Sequence, residues 1–308
     1  MTATTRTQPV TATPQSQITH IAAAVDSLPE GNDAVVLAAA ITGAVGGDLM
    51  LVAIEPELPL FLPGVNRRQM RRETETMLAR TRESFASGAR SVIEADLSSA
   101  RGLKRVLGRQ HRQLVVCGSS GHGPDGGVSV GRTTRQLLGQ VNCALAIAPR
   151  GLSSRSAPFA LRRISVGFDG GAESRAALTT AATIAAGAGA ELVVYGAVDD
   201  RIPKLTWPNL WIEPFRESWN EVMDEQVAAL RRTAESACAE LPIPVTVEIE
   251  RAVPAAFLAR RSLTTDLIVI GSRRWGTSAR LLMGGTGEGL VRGAHCSLLV
   301  VPRPDDAS

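Results

Sequence analysis

Residues 114–121 read Leu114-Val115-Val116-Cys117-Gly118-Ser119-Ser120-Gly121. A short apolar run of strand type ends in a glycine and two serines. Gly123, Gly126, Gly127 and Gly131 follow, and then Arg132-Thr133-Thr134-Arg135-Gln136-Leu137-Leu138, which reads as a helix start. The stretch closes with Cys143-Ala144-Leu145-Ala146-Ile147-Ala148-Pro149. Strand, glycine loop, helix start and strand is the order in which α/β proteins cradle a phosphate, because backbone N–H groups gather at the loop and the helix N-terminus.

The same stretch is written twice. Gly118, Gly131, Cys143 and Pro149 recur as Gly271, Gly284, Cys296 and Pro302, each 153 positions later, and Thr133 recurs as Thr286. Near the start of each half the offset is smaller: Ala24-Val25-Asp26 answers to Gly167-Phe168-Asp169, 143 positions on. Self-similarity at fixed offset marks duplicated units, and a period this long means two whole domains. The extra chain of the second copy falls within 199–215, a loop that holds Trp207 and Trp211.

Apolar runs at 18–25, 48–54, 91–94, 114–117 and 144–148 read as strands, with helices at 33–45, 67–86 and 98–110 and a proline loop at Pro56, Pro59 and Pro63. The second copy repeats the order, with strands at 164–168, 191–198, 245–250, 267–270 and 298–301 and helices at 174–186, 217–240 and 253–263. Strands without polar alternation are covered on both faces, and their alternation with helices predicts a parallel, doubly wound sheet. The expected fold is α/β: two tandem five-stranded Rossmann-like domains. Residues 1–17 are read as a disordered tail, 18–150 as the first domain, 151–160 as a linker and 161–303 as the second domain.

The chain's 308 residues suit two domains with a core each. Apolar content of 44% with 20% charged residues describes a globular protein. Net charge is only +3, with no basic block or basic–aromatic stripe, which argues against a nucleic-acid partner. No run is long enough to cross a bilayer, and the opening residues lack the apolar centre of a secretory signal. The four cysteines show no metal spacing and read as small buried hydrophobes, consistent with a cytoplasmic protein. His20, His111, His122 and His295 are scattered, and Ser119 and Ser120 have no positioned His/Asp partner, so no catalytic or metal-binding residue is expected.

These residues resemble the universal stress protein family in tandem form, over roughly 18–303. The family's nucleotide-binding members carry Gly, two residues, Gly, nine residues, Gly, then Ser or Thr. Gly118, Gly121 and Gly131 stand in that register; Arg132 departs from it, with Thr133 one place late. The second copy keeps Gly271 and Gly284 but has Arg274 where the middle glycine belongs, Gly276 two places late, and Gly285 before Thr286. The resemblance implies an adenine nucleotide alpha hydrolase-like fold. It implies that Asp26 and Asp169 contact adenine, and that Ile54, with Ala197 as its counterpart, contacts the nucleotide through its backbone. It also implies that the last strands, 144–148 and 298–301, meet across a pseudo-two-fold, as in a dimer within one chain, with a homodimer as a further form.

The resulting expectation is a regulatory stress-adaptation protein, not an enzyme, that binds ATP, alone or with Mg²⁺, chiefly in the first half. A scaffold of the same fold without nucleotide is the alternative, favoured by Arg132, Arg274 and Gly285. A weakly ATP-hydrolysing or adenylate-transferring enzyme stands third, since no general base or Mg²⁺-binding carboxylate pair is evident beside either loop.

Overall fold

The computed structural model describes residues 18–57, 66–201, 213–272 and 284–302. The first half runs β1 (His20–Ala24), α1 (Pro29–Val45), β2 (Asp48–Pro56), α2 (Arg67–Phe85), β3 (Arg90–Asp96), α3 (Ser99–Arg109), β4 (Leu114–Gly118), α4 (Arg132–Leu138) and β5 (Ala144–Ala148). The second runs β6 (Arg163–Gly167), α5 (Ala172–Ala188), β7 (Glu191–Val198), α6 (Glu213–Ala239), β8 (Val245–Arg251), α7 (Pro254–Arg261), β9 (Leu267–Gly271), α8 (Gly285–Gly293) and β10 (Ser297–Val301). The proposed tail, the loop residues Pro59 and Pro63, the Trp207/Trp211 loop, and Arg274 with Gly276 lie outside the described residues.

All ten expected strands form, and they join into one sheet in the order β3-β2-β1-β4-β5-β10-β9-β6-β7-β8. Each half is parallel, and the winding reverses between β1 and β4 and again between β6 and β9. The halves meet through an antiparallel pairing of β5 and β10, in which Ala146 faces Leu299 with Leu145–Val300 and Ile147–Leu298 on either side. Ala146 and Leu299 are equivalent positions, so the pseudo-two-fold passes between them. The pairing is physically favoured because β5 and β10 are buried and, Ser297 apart, apolar, and an uncovered strand edge would leave a row of unpaired N–H and C=O groups.

Helices α1 and α5 are equivalents, each ending at a glycine in the left-handed region: Gly46 at φ 65° and Gly189 at φ 63°. That backbone suits glycine, which has no Cβ to clash. The two helices pack against each other across the same axis. A Cβ on Gly187 would lie 1.6 Å from the carbonyl oxygen of Ala44, its own equivalent 143 positions earlier. The helices touch backbone to backbone there.

The sequence reading began α1 at Asp33, but the helix starts a turn earlier at Pro29, whose fixed φ suits a first helical position. Asp33 instead lies inside the helix, buried, with its carboxylate accepting from the N–H groups of Gly151 (2.8 Å) and Ser153 (2.6 Å) and from the Ser153 hydroxyl (2.6 Å). The segment after β5 is therefore pinned to α1 through a short 3-10 turn, Leu152–Ser154, and Leu152 is buried.

Two glycines in the last turns of α1 and α5 should respond oppositely to alanine. Gly43→Ala meets no atom within 4 Å and should raise stability by about 0.5–1 kcal/mol from helix propensity. Gly187→Ala gains the same propensity but must separate two backbones, an overpacking cost of about 1–3 kcal/mol or more, and should be net destabilising. Urea unfolding of both variants checks the pair; equal effects would rule out the close approach of α1 and α5.

Candidate functional site

The crevice where the winding of the first half reverses lies beyond the carboxyl ends of β1 and β4, the usual ligand position in an open α/β sheet. Asp26 stands just past β1 and is exposed. Its Oδ1 accepts the Leu28 N–H at 3.0 Å and shapes the entry to α1. Burial of its surroundings, and then the neighbouring Glu30 carboxylate, push its pKa up, against the lowering effect of the Leu28 N–H. Ile54, half-buried at the end of β2, lies on one side of Asp26, since β2 pairs with β1. Gly118 lies on the other.

The glycines of the motif have different reasons to be glycine. A Cβ on Gly118 would sit 2.1 Å from the backbone oxygen of Glu30, so the first turn of α1 can rest on β4 only if this position is bare. Gly271 repeats the demand, with Glu173 backbone atoms at 2.5 Å. A Cβ on Gly121 would come to 3.0 Å from Glu30 Oε1, the mobile end of a side chain. On Gly131 it would meet only Ser120 Cβ at 3.9 Å, ordinary contact, and the φ of −70° suits any residue. The fold therefore needs Gly118, while Gly131 is bare beside an open helix start with no demand from the protein around it. Arg132 is exposed and Thr133 half-buried in the first turn of α4, whose start has no side-chain cap.

The loop between them is held by its own chain. Ser120 N–H donates to Ser129 O (2.7 Å), Ser129 N–H to Ser119 Oγ (2.6 Å) and Gly123 N–H to Ser120 O (2.9 Å). Arg150, after β5, straps it: its carbonyl accepts the Gly126 N–H, and its guanidinium reaches Gly123 O (3.0 Å), Asp125 (3.3 Å) and Glu30 (3.6 Å). Val128 N–H donates across the halves to Ala294 O (2.9 Å). Sequence reasoning missed Glu30 and Arg150. The signal for Glu30 was present, because the offset that pairs Asp26 with Asp169 also pairs Glu30 with Glu173.

The second half repeats the frame. Asp169 Oδ1 accepts the Gly171 N–H (3.0 Å), and β6 pairs with β7 and β9, which places Ala197 and Gly271 on either side of it. Gly284, Gly285 and Thr286 open α8, where a Cβ on Gly285 meets nothing within 4 Å. Residues 273–283, which connect them to Gly271, are outside the description. Burial pushes the thiols of Cys117, Cys143 and Cys296 up to about 12, so all three remain neutral packing groups. Among the described residues no three His, Cys, Asp or Glu side chains gather as a metal site, and no helix is long and apolar enough to cross a membrane.

Comparison with known proteins agrees with this architecture. The sequence pattern described as the universal stress protein family matches residues 17–149 and again 160–302. A universal stress protein of Mycobacterium tuberculosis is 25% identical over 257 residues, 80% of this chain and 84% of its own length. Another from the same species is 26% identical over 229 residues, covering 73% and 70%. Among solved structures, a universal stress protein from Archaeoglobus fulgidus superposes with a TM-score of 0.65 at 16% identity, over 94% of this chain and all of that one (100%). With two matches that together span most of its length, the chain belongs to the universal stress protein family.

Proposed function

We propose that this protein binds an adenine nucleotide, ATP alone or with Mg²⁺, in the crevice of its first half, and acts as a regulatory stress-adaptation protein rather than an enzyme. The observation that carries this reading is Gly131: a glycine in the family's register that its own fold does not require, bare at the helix start that faces the loop of Gly121. A ligand approaching the backbone accounts for the missing Cβ. Asp26 and Ile54 would take the adenine end, and Gly118 to Gly121 with Gly131 to Thr133 the phosphates. In the second half Asp169, Ala197, Gly271, Gly284, Gly285 and Thr286 would form a weaker site, because Arg274 replaces the middle glycine.

One observation favours the scaffold reading. Glu30 places a carboxylate against Gly121, and several loop N–H groups are already spent on the chain itself. We place the protein in the cytoplasm, its cysteines being neutral and unpaired. Because β5 and β10 use their edges on each other, a homodimer of whole chains would have to form through another surface.

Gly131→Ala should lower the unfolding midpoint only slightly, through the N-cap of α4, and weaken ATP binding about tenfold or more, a loss of at least about 1.4 kcal/mol. Gly121→Arg should abolish binding with the fold intact. Calorimetric titration with ATP, together with release and mass identification of nucleotide from the purified protein, decides it. About one adenine nucleotide per chain supports the reading, whereas undiminished binding in both variants moves the site elsewhere.

Asp26 supplies a pH test. Its carboxyl loses its proton at higher pH in the folded than in the unfolded chain, so the charged form weighs against folding above the folded pKa and the penalty vanishes below the unfolded one. Asp26→Asn should therefore stabilise the nucleotide-free protein at about pH 7, and the gain should close as pH falls below about 4. A gain that stayed constant across that range would assign the effect to something other than ionisation.

A further inference from the structure

A cavity of about 520 Å³ opens where the two halves meet, at the amino ends of β1, β4 and β5. Its walls come from the ends of α3 and α4 and the start of β5 in the first half, and from α5 and the end of β10 in the second. None of the residues assigned to either nucleotide crevice lines it. The volume falls within the range of small-molecule sites, which favour domain seams.

The pseudo-symmetry shows what stands at the equivalent place in the first half. In the first half the chain leaving β5 turns back over α1, anchored on Asp33 with Leu152 buried. The equivalent of Asp33 is Ala176, which lines the cavity. The carboxylate that fastens the chain after β5 has a methyl group as its counterpart.

The lining is rich in donors. Lys104, His111 and Arg112 face it, and among the described residues no carboxylate does. Arg112 is buried, held by Asp48 and the Ile21 carbonyl, and its Nε–H meets no acceptor among the described residues. Asp48 must also answer Arg90, so one carboxylate stands against two guanidinium groups and the floor keeps a positive excess. Gln113 spends its Oε1 on the N–H groups of Thr19 (2.8 Å) and His20 (3.0 Å), which leaves its amino end as a donor. Lys104 makes no ion pair and Thr180 no side-chain hydrogen bond among the described residues. Ile18, Val45, Leu107, Ile184 and Val301 give the cavity an apolar side, next to the polar Thr179, Thr183, Gln140 and Asn142. Cys143 adds to it, its thiol pushed up to about 12 by burial and so not a nucleophile.

We propose that this seam cavity binds a small organic anion with an apolar body, its carboxylate or phosphate head on Lys104 and Arg112 and its body against Ile184, Leu107 and Val45. A ligand there would touch both halves at once and hold them together, stabilising the chain by mass action. The site is independent of the adenine-nucleotide reading, being at the opposite end of the first-half strands.

Calorimetric titration and thermal unfolding with octanoate, hexyl phosphate, octanol and ATP test it. Octanoate, hexyl phosphate or both should bind at one per chain and raise the unfolding midpoint, and whichever binds identifies the head group. Octanol should bind at least about tenfold more weakly, and ATP should not displace the anion. Lys104→Glu, at an exposed position, should weaken anion binding about tenfold or more without lowering the midpoint of the free protein, and Thr180→Trp should fill the space and abolish binding. The proposal is overturned if neither anion binds, if Lys104→Glu binds as the parent does, or if ATP competes with the probe.

Discussion

The antiparallel contact between β5 and β10 is the constraint on which the rest of the molecule depends. It turns two five-stranded sheets into one of ten strands and buries the two strand edges that the duplication would otherwise leave open. It also fixes an axis, and residues on an axis meet their own equivalents. Ala146 faces Leu299 in the sheet, and Ala44 meets Gly187 in the helix layer. In a symmetric contact the two equivalents compete for one volume. Here one equivalent is glycine and the other alanine, an asymmetry that two identical chains could not adopt.

The axis also decides how the two crevices relate. Because the strands of the halves run in opposite directions at the join, their carboxyl ends point to opposite edges of the sheet. A ligand in the Asp26 crevice and one in the Asp169 crevice cannot touch, and any coupling must pass through packed elements. One such route is visible, the hydrogen bond from Val128 in the first glycine loop to Ala294 behind α8. The same opposition brings the amino ends of β4 and β5 beside the carboxyl end of β10, which is where the seam cavity opens.

Much of this was legible in the sequence, and what was not has a physical reason. Strand positions followed from apolar runs, and the repeat offsets identified Asp26 and Asp169 as equivalents. The meeting of the last strands came from the family resemblance and is what the pairing of Ala146 with Leu299 shows. The start of α1 was misplaced because Asp33 looks like a helix-opening residue, whereas its carboxylate serves a segment more than a hundred residues later. Glu30 was passed over because its importance appears only when α1 lies on β4. A motif also treats its glycines alike. Only packing separates Gly118, which the fold requires, from Gly131, which it does not.

That separation bears on how the two copies diverged. Gly118 and Gly271 persist in both halves because each lets a helix rest on a strand, and that requirement holds whether or not a ligand is ever bound. The middle glycine answers to no such demand, and it is there that the second copy carries Arg274. Under the nucleotide reading the charge of the crevice then becomes the discriminating quantity. Glu30 sets a carboxylate against Gly121, beside the place where phosphates would lie, with Asp26 at the adenine end; Arg150, 3.6 Å from Glu30, and the N–H groups of a short helix offset it. A bare triphosphate carries several negative charges and would be repelled by the Glu30 carboxylate, whereas a Mg²⁺-bound or less phosphorylated nucleotide would meet less opposition. The crevice thus favours low charge on its ligand, and the protonation of Asp26, which burial and then Glu30 promote, relaxes that preference as the medium becomes more acidic.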